Sequence, residues 1–121
     1  MNTTDRLKQS LLDELQEDHV GLWSVVRDFR YALPKATDRE IKDQVISLID
    51  ALLSNSLVQA GFPAPDGIGF KPWNLPQSRI VERVRTEWEC LGRDPDIGEV
   101  VWFSANRSAK VPTDSESSRK K

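Results

Sequence analysis

The sequence predicts an α+β domain in which helices pack on a small antiparallel β-sheet. Four segments carry apolar residues at three- and four-residue spacings, as the inner faces of helices do. Two short runs rich in β-branched and aromatic residues, at 57–62 and 99–103, have the character of strands. With 121 residues, 38% of them hydrophobic, the chain can form one continuous core. We therefore predict a single domain over residues 1–103.

The third predicted helix, residues 38–55, has the strongest pattern. Thr37 is its expected N-cap, and Glu40 stands three residues on, where a capping box requires it. The apolar residues of this segment share one stripe, formed by Ile41, Val45, Leu48, Ile49, Leu52 and Leu53. We expect one uninterrupted helix whose stripe is buried by the other elements.

Two further helices are predicted before it, over residues 4–16 and 18–33. Asp18 is the expected cap of the second, and Pro34 ends it because a proline disfavours a helical residue before it. Only Glu17 lies between these two ranges, so a single bent helix is the alternative.

A loose two-stranded hairpin is predicted after the third helix. The Asp66-Gly67 pair is a turn signal, and Phe62 and Phe70 are expected on the two paired strands. Asn74 is the expected cap of a last helix that ends at Gly92.

The ends of that last helix carry two further predictions. Pro76 is tolerated in its first turn, and Gln77 stands at the capping-box position. The final strand, residues 99–103, is expected beside either the strand at 57–62 or the second hairpin strand.

Charge is unevenly distributed along the chain. Residues 1–103 contain 12 Lys+Arg and 17 Asp+Glu, a net charge of −5, whereas residues 104–121 contain five and two, a net charge of +3. The segment 104–121 lacks apolar periodicity, so we expect a disordered basic tail. An acidic domain is a poor match for the phosphate backbone of nucleic acids and a better one for a cationic protein partner.

The sequence also carries expectations about compartment. No apolar run approaches the ~20 residues that a membrane span requires. The first residues lack the basic start and apolar middle of a signal peptide. The single cysteine, Cys90, cannot form an internal disulfide, which suits a reducing compartment. We expect a cytoplasmic protein without a membrane partner.

The chain offers few groups for catalysis or metal binding. His19 is the sole histidine, no nucleophile-elbow motif accompanies it, and we expect it in a first helical turn beside Asp18. Cys90 and one histidine do not make a zinc site, and Cys90 is expected to be a small buried or half-buried side chain. The Gly67-Ile68-Gly69 run lacks the third glycine of a dinucleotide fingerprint. We predict no catalytic residue, no metal ligand and no cofactor.

Five residues outside the helix stripes are the candidates for contact with a protein partner. They are Asp66, Trp73, Asp94, Asp96 and Glu99. The acidic members would attract a cationic partner, although a turn between helix and strand also explains Asp94 and Asp96. Trp73 is either an exposed apolar anchor or a plug between the hairpin and the last helix.

Three segments resemble a family of small, uncharacterised bacterial proteins: LLSNSLVQAGF, GFKPWNLP and EWECLGRDPDIGEVVWF. The resemblance covers roughly residues 18–103, and its most specific stretches are GF-x-PW-x-LP and LGR-x-P-x-IGE-x-VWF. It implies a winged-helix-like core and supplies no catalytic residue. Proteins of this size also occur as immunity partners of secreted bacterial toxins, including those of contact-dependent growth inhibition.

Two functions from different classes remain in competition. The first is a non-enzymatic immunity protein that neutralises a basic toxin domain. The second is a winged-helix DNA-binding regulator that uses the hairpin and the basic tail. The third helix opposes the second function, because its outward residues Asp38, Glu40, Asp43 and Asp50 outnumber Arg39 and Lys42. In addition, residues 34–56 hold one periodic segment, whereas a helix-turn-helix needs two.

Overall fold

The computed structural model describes residues 3–66 and 68–106. The helices in these ranges are α1 (Thr3–Leu15), α2 (Leu22–Ala32), α3 (Asp38–Ser54) and α4 (Gln77–Leu91). The strands are β1 (Val20–Gly21), β2 (Val58–Pro63), β3 (Phe70–Pro72) and β4 (Trp102–Ala105). The predicted α+β class is therefore confirmed, while the winged-helix description stays a prediction.

All strand pairs of the sheet are antiparallel, and the strand order is β1-β4-β2-β3. β4 pairs with β2 from Val58 opposite Ala105 to Gly61 opposite Trp102, which selects the first of the two predicted neighbours for this strand. Alternate residues of β2 and β4 point into the core, as the two-residue period of a strand requires. Val58, Ala60, Phe103 and Ala105 form that inner face.

α3 is the central helix of the core, as predicted. Its capping box is present: the Glu40 amide donates to Thr37 Oγ1 over 3.1 Å, and the Thr37 amide donates to Glu40 Oε1 over 2.8 Å. The buried residues of α3 are Ile41, Val45, Ile46, Leu48, Ile49 and Leu52. The helix runs without interruption, which confirms the prediction made from its stripe.

The second predicted helix starts later than residue 18. Val20 and Gly21 form β1 instead, and the Leu22 amide donates to the Val101 carbonyl over 3.0 Å. Asp18 is not a helix cap, because its Oδ1 accepts the amide of His19 over 2.7 Å. Pairing with β4 holds this stretch extended, so α1 and α2 are two helices and the bent-rod alternative is wrong.

The hairpin of β2 and β3 is confirmed, with Pro63 opposite Phe70. The predicted cap of the last helix is wrong. The Trp73 amide donates to the Ala60 carbonyl over 2.8 Å, so the chain stays extended past β3. Pro76 then occupies the N-cap position, and α4 starts at Gln77.

Gln77 does not take part in a capping box. Its Nε2 donates to Asp50 Oδ1 over 2.6 Å and so joins the start of α4 to α3. Gly92 ends the helix as predicted, with a left-handed φ of 69° that favours a residue without a Cβ.

The last strand is shifted towards the C-terminus relative to its prediction. Val100 has a φ of 70°, and the Val101 amide donates to the Glu99 carbonyl over 2.9 Å, which is the geometry of a γ-turn. This turn delays the strand until Trp102. The preference of valine for strands is overridden here by contacts with distant parts of the chain.

The predicted domain boundary at residue 103 is correspondingly too early. Ser104 and Ala105, assigned to the tail, pair with Gln59 and Val58 in the sheet. The Asn106 amide donates to the Leu57 carbonyl over 3.0 Å. The rest of the predicted tail, residues 107–121, lies outside the described residues, as does Gly67 of the hairpin turn.

Cys90 is exposed, which contradicts its predicted role as a buried or half-buried side chain. The buried residues of α4 are Ile80, Val84 and Trp88. At 3.6 residues per turn, a residue two places after Trp88 points away from the core. Within the described ranges no helix has the length and apolar content needed to cross a membrane.

Candidate functional site

The first group of predicted site residues lies in the acidic loop, residues 93–99. Asp94 accepts two hydrogen bonds from Arg30, from Nε to Oδ2 and from Nη2 to Oδ1, each over 2.9 Å. Arg30 Nη1 also lies 2.8 Å from Asp38 Oδ1 at the start of α3. The Asp94 carboxylate thus joins the acidic loop to α2 and is engaged inside the protein.

Glu99 also forms an ion pair, whereas Asp96 forms none within the described ranges. Arg93 donates from Nη1 and Nη2 to the two oxygens of Glu99 over 2.7 and 3.0 Å. The Asp96 amide donates to Glu99 Oε1, and Asp96 Oδ1 accepts the Ile97 amide. The hydrogen bonds from Arg93, followed by the one from the Asp96 amide, lower the pKa of Glu99 to about 2. Asp94 and Glu99 are thus each paired with an arginine.

Asp66 and Trp73 lie elsewhere. Asp66 Oδ1 accepts the amides of Gly69 and Ile68, which together lower the pKa of this carboxyl group. In the described ranges no hydrogen bond or ion pair joins Asp66 to the acidic loop. The structure therefore brings Asp94, Asp96 and Glu99 together and leaves Asp66 apart from them.

Trp73 is half-buried between the hairpin and α4. Its ring meets the Phe62 ring edge-on, with centroids 6.0 Å apart, and the Arg83 guanidinium carbon lies 3.9 Å from its centroid. Of the two predicted roles for Trp73, the plug is the one that the geometry supports. One face of the indole is already covered by a cation.

A cleft that the sequence analysis did not identify lies between α1, β1 and α2. This acidic cleft has a volume of about 540 Å³. It is lined by carboxylates from α1 and the following turn, by two tryptophans, and by small residues. These residues are Ser10, Asp13, Glu14, Glu17, Asp18, His19, Val20, Gly21, Trp23, Ser24, Arg27 and Trp102.

The acidic wall of this cleft follows from the periodicity of α1. Leu11 and Leu15 are buried on the inner side of the helix. Residues at three- and four-residue spacings share one side of a helix, so Asp13, Glu14 and Glu17 come together on the cleft side. Asp18 follows in the turn after α1 and extends the wall towards β1.

The carboxylates of this wall lack the compensation found in the acidic loop. Asp13, Glu14, Glu17 and Asp18 form no ion pair with the lysines and arginines of the described ranges. The pKa of Glu14 is raised, first by burial and then by the charge of Asp28, with Arg27 acting in the opposite direction. The cleft therefore holds negative charge that its own residues do not neutralise.

Two half-buried tryptophans supply the apolar part of the cleft. The Trp23 indole packs over Gly21, where an added Cβ would collide with Nε1. That nitrogen is buried and finds no hydrogen-bond acceptor in residues 3–66 and 68–106. The Arg27 guanidinium carbon lies 5.1 Å from the centroid of Trp23. Trp102, which lies in β4 and is distant from Trp23 in the sequence, also lines the cleft.

His19 lines both the acidic cleft and a second cavity of about 500 Å³. Its Nε2 lies 3.3 Å from the Ile68 carbonyl oxygen, and its ring centroid lies 5.0 Å from that of Phe70. This position is not the first helical turn predicted for His19. The imidazole contacts the tip of the hairpin and no serine hydroxyl of the cleft. Over the described ranges, no group of three or more His, Cys, Asp and Glu residues is arranged to hold a metal ion.

Part of the acidic cleft leaves a signal in the sequence. Asp13 and Glu14 of α1, and Glu17 in the turn after it, fall outside the buried leucine positions Leu11 and Leu15, which marks them as solvent-facing. Nothing local connects them to Trp102, because only the β1–β4 pairing brings the two together.

Comparisons with family models, with curated proteins and with solved structures find no match for this chain. The resemblance of residues 18–103 to small bacterial proteins consequently stays a prediction.

Proposed function

We propose that this chain is a non-enzymatic binding domain that uses the acidic cleft to hold a cationic segment of a protein partner. In the most specific form of this proposal, the chain is a cytoplasmic immunity protein and the partner is a basic toxin domain. The observation that carries the proposal is the gathering around two tryptophans of four carboxylates that form no ion pair with the described lysines and arginines.

The chemistry of the cleft suits lysine and arginine side chains. A guanidinium or ammonium group gains both a carboxylate and an aromatic face when it binds beside an indole. Arg27 already lies on Trp23 in this manner, within the protein itself. Desolvation at a concave site strengthens such contacts relative to those on an open surface.

The acidic loop with Trp73 and Asp66 is the second surface for the same partner. Its carboxylates Asp94 and Glu99 already form ion pairs with Arg30 and Arg93. A partner would have to compete with these contacts before it could bind there. The acidic cleft is therefore the better candidate.

The DNA-binding alternative has less support from the geometry. α2 and α3 are consecutive helices separated by residues 33–37, so a short helix–helix connection does exist before α3. However, Asp38, Glu40, Asp43 and Asp50 are all exposed on α3, and Lys42 is half-buried with its Nζ 5.5 Å from the Trp88 centroid. A surface of this charge repels phosphates.

A binding experiment with an oligo-arginine peptide tests the site. The full chain should bind the peptide at low salt, and the Asp13→Lys/Glu17→Lys double variant should bind it about tenfold more weakly, since two attractive charges become repulsive. The matched control is Glu82→Lys/Glu89→Lys on α4, which changes the net charge equally and lies outside the cleft. An equal loss in both double variants would mean that only net charge matters.

A protection experiment tests the function. The toxin domain of a secreted protein encoded directly upstream is the first candidate partner. Cells that express this domain should survive when they also contain the wild-type chain or the α4 control, and should die with the Asp13→Lys/Glu17→Lys variant. If the purified chain instead shifts random duplex DNA at physiological salt and fails to bind the toxin domain, the DNA-binding alternative is correct and the immunity proposal is wrong.

A further inference from the structure

We propose that the basic segment of this chain, residues 107–121, docks in the acidic cleft and competes there with the cationic partner, an inference that rests on the proposed function. The segment contains five Lys+Arg and two Asp+Glu. It follows directly after the last described residue, Asn106.

The point at which the chain leaves the sheet lies beside the cleft. The Asn106 amide is held by the Leu57 carbonyl at the end of β4. Asn106 lines the second cavity together with Glu17, Asp18 and His19, and these three residues also line the acidic cleft. The basic segment therefore follows a residue whose cavity shares three lining residues with the proposed binding site.

The length of the segment is sufficient for its far end to return. Fifteen residues extend to at most about 50 Å, and a flexible chain of this length has a mean end-to-end distance of about 20 Å. The Arg119-Lys120-Lys121 cluster can thus approach a site next to Asn106 without an extended conformation. An effective concentration on the order of millimolar follows for such a short tether.

The distribution of free carboxylates selects the acidic cleft among the acidic surfaces. Ion pairing within the acidic loop leaves little charge for a tail to neutralise. In the cleft, Glu14 has its pKa raised by burial and by Asp28, so an arriving cation also relieves repulsion there. In the docked state, the lysines and arginines of the basic segment would neutralise the carboxylates of the acidic cleft in the same molecule.

A spin-label experiment on the full chain detects the docked state directly. A nitroxide is attached at Ser118→Cys in a Cys90→Ser background, since Cys90 is exposed and would otherwise react. The four tryptophans provide an internal control, because Trp23 and Trp102 line the cleft and Trp73 and Trp88 do not. At low salt the indole signals of Trp23 and Trp102 should broaden more than the other two.

Two variants test the cause of this broadening. Asp13→Lys/Glu17→Lys in the labelled chain should abolish it, whereas Glu82→Lys/Glu89→Lys should leave it intact. High salt should also abolish it, because both charged groups are accessible to solvent. Equal broadening of all four indole signals, or broadening of none of them at low salt, would overturn the proposal.

A competition experiment measures the consequence for binding. In the tail-neutral variant, Arg107, Lys110, Arg119, Lys120, Lys121 and Glu116 are replaced by glutamine and Asp114 by asparagine. This variant should bind the oligo-arginine peptide about threefold more tightly than the wild-type chain, as expected when a tethered competitor at millimolar effective concentration is removed. The same replacements in the Asp13→Lys/Glu17→Lys background should give no such gain, which separates competition at the cleft from the change in net charge.

The outcomes distinguish this inference from the proposed function. If the wild-type and tail-neutral chains bind the peptide equally well at the cleft, the tail does not compete and the binding function stands. If the spin label reports docking while neither chain binds the peptide at the cleft, the inference about the tail stands and the proposed function is wrong.

Discussion

The acidic cleft and the acidic loop both contain aspartates and glutamates, but the pKa of a glutamate is raised in the cleft and lowered in the loop. In the acidic loop, Arg93 holds the pKa of Glu99 down to about 2, and Arg30 binds Asp94 with two hydrogen bonds. In the acidic cleft, burial and a neighbouring carboxylate raise the pKa of Glu14. Paired carboxylates stabilise a fold, whereas unpaired carboxylates in a concavity cost stability and attract cations.

This difference shows why the acidic residues that stand out in the sequence are not the best candidates for binding. Asp94, Asp96 and Glu99 are conspicuous because they cluster in a loop. Two of them have arginine partners: Glu99 pairs with Arg93 in the same loop, and Asp94 pairs with Arg30 on α2. Asp13 and Glu14 on α1 attract less attention in the sequence, and within the described ranges they form no ion pair with an arginine.

The largest expected effect tests whether the two acidic regions belong to one cooperative domain. Leu48 lies in the central helix α3 and is only 5% exposed. Leu48→Ala should lower the free energy of unfolding by about 2–5 kcal/mol, because it removes buried apolar contacts and leaves a cavity. Chemical denaturation monitored by tryptophan fluorescence and by circular dichroism measures the loss. Two separate transitions would show that the cleft and the loop unfold independently.

An intermediate effect on the free energy of unfolding is expected when an arginine beside each acidic region is replaced by methionine. Arg30→Met removes the partner of Asp94 and Asp38 and should cost about 1–2 kcal/mol, a value reduced by partial solvent exposure of these groups. Arg27→Met, one turn earlier on α2, should change stability by less than about 0.5 kcal/mol, since Arg27 is mostly exposed. Thermal melts of the two variants make the comparison. Equal losses would remove the distinction between the two acidic regions.

The smallest effects concern pH. The pKa of Glu99 lies below its ordinary value of 4.5, so its contribution to stability is present above pH 4.5 and is lost as the pH falls towards 2. The pKa of Glu14 is raised, so its ionised form costs stability at neutral pH, and this cost disappears as the pH falls to 4.5.

Carboxyl ¹³C titration by NMR measures both groups directly. Glu14→Gln should raise the free energy of unfolding at neutral pH by less than about 1 kcal/mol, since solvent screens this partly exposed group. Glu99→Gln should make the stability less sensitive to acid between pH 4.5 and 2. A Glu14 pKa below that of Glu99 would reverse the comparison between the cleft and the loop.

The parts of the fold that were predicted correctly depend on residues close together in the sequence. The Thr37–Glu40 capping box, the α3 stripe and the Phe62–Phe70 hairpin are each encoded within one segment. The errors arise where a distant segment imposes the conformation. Val20 lies in a strand because it pairs with Phe103, and Asn74 is not a cap because the hairpin extends through Trp73.

By itself, the sequence determined the class of the fold, the length and buried face of its central helix, and the acidic character of residues 1–103. Helical stripes and caps depend on residues close together in the sequence, and net charge is a sum over residues, so each can be read without the tertiary structure. The tertiary structure alone decided which carboxylates acquire an arginine partner and which remain free. It also decided that Trp102 lies beside α1 and α2, because contacts between residues eighty positions apart form only when the β-sheet assembles.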